Sequence, residues 1–385
     1  MKKKISLIVS LSVTLLLSAC WDVNEPQKMY YILGIGIDFK DDQYEVFMQI
    51  IDFATIAKSE QLNPTSTQAE VGRAKGKTME EAFFKLYRSI DQKVFWGHMT
   101  FFILSEEAME SEHAVPIIDS FLRHRETRYQ IWTYCTQDPI EEILLITPII
   151  KKSLTASKLS NPLNLGAQES FIQPINLRNL IIELNEPSHE VSIPLVTINK
   201  KWRTTDQSYE ETALTGVGVL SKDGFKGFIK DDAIRGMQWM QKKKSRGEIT
   251  FKIKSSKRDY LTVDLEKISL DVKPIVKNNH VKFEIAVTFN ATVNGFKGKV
   301  TSGEIRKNII EEVKKEIKTS YEEGLKLDVD IYRLSEQLYR ENVKVWKNLE
   351  SDGKIPLTED SISKIDIHVN KVNPGRKNFS ETIEE

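Results

Sequence analysis

The chain carries no net charge: 55 basic residues balance 55 acidic ones over 385 positions. It therefore lacks the global positive field that attracts nucleic acid, and it has no acidic tail. It has two cysteines, Cys20 and Cys135, and no internal repeat. Past the amino terminus no apolar run approaches transmembrane length. Catalytic motifs are missing as well. Gly72 to Thr78 (GRAKGKT) tempts a P-loop reading, but Val71 stands where the first glycine is required. The segment before it reads as a polar loop, so a solvated basic loop leading into a helix is expected. Gly34-Ile35-Gly36 lacks the third glycine of a dinucleotide fingerprint. The histidines at 98, 113, 124, 189, 280 and 368 are scattered, with no i,i+4 pair for a metal. G-x-S-x-G, H-E-x-x-H and C-x-x-C do not occur. These absences argue against an enzyme, a metal site and a nucleotide cofactor.

What is present is concentrated in MKKKISLIVSLSVTLLLSACWD. Three lysines precede an apolar run from Ile5 to Leu17 and then Leu17-Ser18-Ala19-Cys20. A basic start, a short apolar stretch and small residues before a cleavage point form a secretory signal peptide over 1–19. The ending resembles a bacterial lipobox, whose cysteine receives a diacylglyceryl group. Cys20 is thus the expected lipidation site, with an N-acyl group after cleavage, and no other cofactor is expected. Two acyl chains anchor a protein stably to lipid. Trp21 beside Cys20 suits the headgroup level. The first strand-like run begins at Met29, so the tether from Cys20 spans at most ~30 Å. Cleavage leaves 366 residues with 52 basic against 55 acidic side chains. Cys135 then has no intrachain partner, and the alternation from Tyr129 to Cys135 marks it as a buried strand thiol. An exported chain without disulfides depends on its cores for stability.

The first half reads as strands alternating with helices. Met29–Phe39 and Tyr44–Phe53 form a hairpin across Asp41-Asp42. A capping box opens at Thr78, and Ala82, Phe83, Leu86, Tyr87 and Ile90 supply an apolar helical face. Strands are expected at 99–104 and 131–135, a helix at 114–122, and another starting at Asp138-Pro139 with Asp as its cap. Residues 150–190 read as helical or irregular. In the second half, strands at 191–198, 211–220 and 224–229 precede a helix capped by Asp231-Asp232, then a linker at 242–247. Long strands at 248–255, 261–272, 280–291 and 362–372 follow. Between the last two, Ile305, Ile309, Val313, Ile317 and Tyr321 recur every four residues on a long helix, with Glu311 and Lys315 as an i,i+4 pair. Residues 330–349 continue helically.

The expected fold class is α/β and α+β and multidomain. It has an N-terminal mixed sheet with helices and a C-terminal antiparallel sheet covered by a long helix. The expected division is 20–200 as an N-terminal α/β domain, 201–247 as a small middle β-plus-helix domain, and 248–385 as a C-terminal α+β domain. Among the charged clusters, Arg123, His124, Arg125 and Arg128 could hold an acidic partner surface or lipid headgroups; a solvated helix end is the plainer alternative. Lys242–Lys244 with Arg246 reads as a solvated linker.

In order along the chain stand Cys20-Trp21-Asp22, Gly34-Ile35-Gly36-Ile37-Asp38, Gly97-His98-Met99, Phe121 to Arg128 and Asp138 to Leu144. Ile193-Pro194, Gly216-Val217-Gly218-Val219, Lys226-Gly227 and Arg235-Gly236-Met237-Gln238-Trp239 follow, then Asp330-Ile331-Tyr332 and Trp346-Lys347. This series resembles the Ger(x)C family, the C-subunit lipoproteins of spore nutrient-germinant receptors. The chain departs from the family pattern at His124 and at Asn294-Gly295. The resemblance implies a three-domain α/β protein without known catalysis. It would work with an A subunit and a transporter-like B subunit on the outer face of the spore inner membrane. Trp21, Arg123, Arg125 and Arg128 are the candidate partner contacts. The alternative is an extracytoplasmic solute-binding lipoprotein of a transporter, which would need two similar lobes around a cleft.

Overall fold

The computed structural model describes Ile5 and residues 28–51, 69–123, 126–165, 172–203, 208–241, 246–253, 260–278, 280–294, 300–374 and 383–384. Cys20, the expected lipidation site, and Trp21, His124, Arg125, Lys242–Lys244 and Gly295 lie outside these residues.

The first unit is one large mixed sheet. Its elements are β1 (Met29–Lys40), β2 (Gln43–Ile51), β3 (Glu70–Gly76), α1 (Met79–Tyr87), β4 (Lys93–Phe95), β5 (Phe101–Ser105), α2 (Glu106–Glu110) and α3 (Ala114–Arg123). Then come β6 (Trp132–Thr136), α4 (Ile140–Leu145), β7 (Ile175–Asn176), α5 (Leu177–Asn185), β8 (Glu190–Arg203), β9 (Ser208–Ser221) and β10 (Gly224–Lys230). The strand order is β10-β9-β8-β6-β5-β1-β2-β3, with β4 on β1 and β7 on β6. The central β1, β5, β6 and β8 run parallel, and antiparallel hairpins extend both flanks. The β1–β2 turn places Asp41 and Asp42 both at left-handed φ, as a two-residue hairpin turn requires.

Helices α1, α2, α3 and α5 bury Phe83, Leu86, Met109, Ile117, Phe121 and Leu180 on one face of the sheet. Ile140, Ile143 and Leu144 of α4 cover the other face with Phe101 and Tyr134. The two glycines of Gly34-Ile35-Gly36 answer to this packing. A Cβ on Gly34 would enter the Phe101 ring, and one on Gly36 would strike Ile140. Close approach of side chains to the strand explains the pattern, and no nucleotide is needed to account for it.

Three sequence expectations change here. Residues 70–76 pair with β2 as an edge strand, so the GRAKG segment is strand and not the expected loop. Glu-Val-Gly-Arg-Ala-Lys-Gly has almost no β-branched content, and its strand state comes from the partner edge. Asp138 does not cap α4: its carboxylate accepts the Ile198 amide at 2.6 Å, tying α4 to β8. The boundary expected at residue 200 falls inside the β8–β9 hairpin. β9 and β10 hydrogen-bond onto β8 in series, so the small middle domain is part of the first sheet.

A run of 3₁₀ turns, Asp231–Met240, leads to the second unit. Asp231 has left-handed φ and no side-chain cap forms there, so the α-helix expected at this point is replaced by a tighter coil. The second unit comprises β11 (Arg246–Lys252), β12 (Tyr260–Lys277), β13 (His280–Val293), β14 (Val300–Thr301), α6 (Ser302–Lys326), α7 (Leu334–Glu341), α8 (Val343–Leu349), β15 (Ile362–Asn373) and β16 (Ile383–Glu384). β11, β12 and β13 are antiparallel, while β15 lies parallel to β13. The long helical connection imposes that direction, because a crossover returns the chain to the same end of the sheet. Ile305, Ile309, Val313 and Ile317 are 0% exposed on the sheet's inner face. Thr301 caps α6 by accepting the Glu304 amide at 3.2 Å. Lys315 on the outer face reaches Glu312 at 3.4 Å. The two units have different topologies and are not copies of one lobe.

Candidate functional site

Two places gather functional side chains. The first is the end of the large sheet where β1 begins. Met29, Tyr30 and Tyr31 pair in parallel with Lys93, Val94 and Phe95. The Tyr30 hydroxyl donates to Asp91 at 2.9 Å. α1 and α3 finish at this end, and a groove of about 640 Å³ lies between them, lined by Tyr87, Ile90, Val94, Trp96, Arg123 and Glu126. The Trp96 indole donates to the Tyr87 hydroxyl at 2.9 Å, which fixes the groove floor. Arg123 is exposed and pairs with Asp119 one turn back at 2.7 Å. Arg128 is exposed in the following loop. It stands close enough to His98 that its charge, after burial, holds that imidazole below its ordinary pKa. Tyr129 beside it is 55% exposed. Of the expected arginines, Arg123 and Arg128 thus share one end of the sheet.

The second place is the joint between the units, around a cavity of about 200 Å³. Asp330 is buried and accepts three hydrogen bonds: from the Leu334 and Ser335 amides at 2.8 and 2.7 Å and from the Ser188 hydroxyl at 3.0 Å. The first two satisfy the opening amides of α7, and the third crosses to the loop between α5 and β8. Glu190 at the start of β8 accepts the Asp330 amide at 2.8 Å and the Lys354 ammonium at 3.2 Å. Lys354 also reaches Asp328 at 2.9 Å. Arg333 bonds Glu336, donates to the Glu190 carbonyl at 2.7 Å and approaches Glu183 at 3.5 Å. Arg340 spans Glu336 and Glu186.

Burial pushes the Glu183 carboxyl up to about 7, against the pull of Arg333. Burial raises Glu190 and Asp330 as well, opposed by Lys354 and by the amide donors respectively. Ser188, His189, Asp328, Arg333 and Asp352 all have left-handed φ, so this joint concentrates backbone strain of ~1 kcal/mol or more per residue. Sequence reasoning missed the joint because its partners lie 140 to 164 positions apart.

The run Arg235-Gly236-Met237-Gln238-Trp239 also acquires a physical meaning. Arg235 and the Trp239 indole both donate to Glu316 on α6 at 2.6 Å, and the Gly236 amide donates to Ser320 at 2.9 Å. A Cβ at Gly236 would run into the Glu316 carbonyl. These contacts seat the connecting 3₁₀ coil on the helix of the second unit.

Among the described residues no group of three or more His, Cys, Asp or Glu could hold a metal, and no described helix is long and apolar enough to cross a membrane. Cys135 is fully buried, and burial pushes its thiol up to about 12. The described molecule is thus a two-unit α/β body with a buried polar joint between the units and several basic and aromatic side chains at one end of its large sheet. Residues 22–198 match the spore germination protein N-terminal domain, and residues 215–373 match the spore germination B3/GerAC-like C-terminal family. The chain belongs to this spore germination family, the Ger(x)C proteins. It is 22% identical to spore germination protein KC of Bacillus subtilis (strain 168), over 91% of this chain and 90% of that protein. Spore germination protein B3 of the same organism is 22% identical over 74% of each chain. The crystal structure of the GerBC protein shares the fold, with a TM-score of 0.54, 14% identity, and coverage of 88% of this chain and 96% of that one.

Proposed function

We propose that the chain is the C-type subunit of a spore germinant receptor and acts by assembly with membrane partners, without catalysing a reaction. The observation that carries this reading is the family match through both units, from residue 22 to residue 373. The partners are an A subunit and a transporter-like B subunit. Cys20, carrying a diacylglyceryl and an N-acyl group, holds the body on the outer face of the spore inner membrane. The tether of at most ~30 Å keeps that body within one protein diameter of the lipid.

The two units differ in strand order, so they do not supply the matching lobes that the solute-binding alternative needs. Co-purification of the tagged protein from spore membranes tests the assembly. Recovery of a transporter-like subunit together with a second membrane protein is expected. Recovery of a transporter permease with its ATPase would replace the receptor reading.

A further inference from the structure

We propose that the end of the large sheet where β1 begins is a docking face for an anionic lipid surface. This deepens the reading of the chain as a membrane-anchored subunit and rests on that reading only for the tether. Chain polarity puts the face there. β1, β5, β6 and β8 run parallel, so all four start at this end, with the start of β8 covered by the second unit through Glu190 and those of β1 and β6 left open beside the groove. Residues 20–28 join Cys20 to β1 here and nowhere else. The far end of β1, at Lys40, lies a twelve-residue strand away, roughly 40 Å at strand rise. A body held by the tether and resting on lipid therefore meets it with the Met29 end.

The chemistry of this end fits the partner. Lys28, Arg88, Lys93, Arg123, Arg128 and Arg178 are exposed there. Glu70, Asp91 and Glu126 lie among them; Asp91 accepts the Tyr30 hydroxyl, Asp119 behind the face pairs with Arg123, and Glu183, next to Ile182 on α5, turns to Arg333 of the second unit. Six exposed basic groups thus gather at one end of a chain that is neutral as a whole, and two of the nearby carboxylates, Asp119 and Glu183, are engaged by Arg123 and Arg333. Tyr129 projects beside Arg128, and Ile182 is exposed one turn after Arg178 on α5. The Arg178 amide donates to the Tyr129 carbonyl at 2.9 Å, so these side chains share a patch. Basic groups around exposed aromatic and apolar side chains match an anionic headgroup layer, where tyrosine and tryptophan rings settle. The groove lined by Tyr87, Ile90, Val94 and Trp96 offers further apolar surface at the same level.

The test uses the chain from residue 20 carrying Cys20→Ala, so that no acyl chain contributes. Its sedimentation with vesicles of phosphatidylcholine, with and without 30% phosphatidylglycerol, is measured at low and high salt. Binding to the anionic vesicles only is expected, falling steeply with salt. Each basic residue at such a surface is worth on the order of fivefold in partition. Neutralising two such residues, Lys93→Gln with Arg128→Gln, should therefore lower binding by about twentyfold, and the charge-reversing pair Lys93→Glu with Arg128→Glu by more than that. Lys40→Glu with Lys77→Glu at the opposite end should leave it unchanged. Circular dichroism verifies folding, and the Gln pair decides if the Glu pair fails to fold.

Equal binding to both vesicle types, no binding to either, or equal losses at both ends would overturn the proposal. So would variants that bind vesicles normally but no longer recover the other subunits from spore membranes, which would make this end a protein interface. The N-terminal mass of the native protein reports lipidation separately, so loss of the anchor reading and loss of the docking face give different results.

Discussion

Burial beside Arg333 raises the Glu183 carboxyl from 4.5 to about 7. In that interval the folded chain holds a proton that the unfolded chain has released. Folding stability contributed by this group is therefore present at the acidic end and declines as pH rises from about 4.5 to about 7. Glu183 is a third exposed, so solvent limits the effect to about 1 kcal/mol or less. Denaturant melts across this range should show the decline, and Glu183→Gln should flatten it. An unchanged slope in the variant would place the titrating group elsewhere, with Glu190 and Asp330 next in line. Two cysteines give sharper readouts. The Cys135 thiol, held up to about 12, should resist alkylation at pH 8 until the chain unfolds. Cys20→Ala should release the protein from membranes and leave the amino terminus without the acyl mass; a variant that stays membrane-bound as mature chain in the absence of partners would refute the anchor.

Among elements, α6 separates buried from solvated positions most clearly. Ile309 is fully buried, and its replacement by Ala should cost about 2 to 5 kcal/mol. Lys315 is exposed and its pair with Glu312 is a surface one, so Lys315→Ala should cost well under 1 kcal/mol. Gly236→Ala presses a methyl group into the backbone of α6 and should cost about 1 to 3 kcal/mol in the same melts, unless the 3₁₀ coil lifts away. The α6 stripe was legible in the sequence because its period of four is a local signal. So were the β1–β2 hairpin and the Thr78 cap, where the Thr78 hydroxyl accepts the Glu81 amide. β3 was not legible, since pairing with β2 and not composition makes it a strand. The parallel placement of β15 was hidden too, because a strand's pattern carries no direction. Of the candidate site, Arg123 and Arg128 were visible as a charge cluster, but their nearness to β4 is a tertiary fact. Asp330-Ile331-Tyr332 was visible only as a family likeness. Its role in the joint depends on Ser188 and Glu190, which no local pattern connects to it.

For the whole molecule, the joint decides whether the two sheets move as one. Glu190 is almost fully buried, and Lys354 is its countercharge. Lys354→Met would leave a buried carboxylate unpaired and should cost about 3 kcal/mol or more. Because the lost contact lies between units, calorimetry of this variant should resolve two transitions where the parent shows fewer. A single transition merely shifted to lower temperature would mean that the apolar contact of Ile229 and Ile234 with Val329 and Ile331 suffices to couple them.

The parallel pairing of β13 with β15 bears on how the chain is made. β13 ends at Val293, and its neighbour does not begin until Ile362. During synthesis the second sheet therefore waits with one flank unsatisfied while α6, α7 and α8 emerge. The edge left open carries Phe283, Ile285, Val287 and Phe289, a stretch able to recruit strands from other chains. A nonsense mutation anywhere between residues 300 and 361 would remove less than a quarter of the protein, yet its product should aggregate or be degraded and not persist as a shortened subunit.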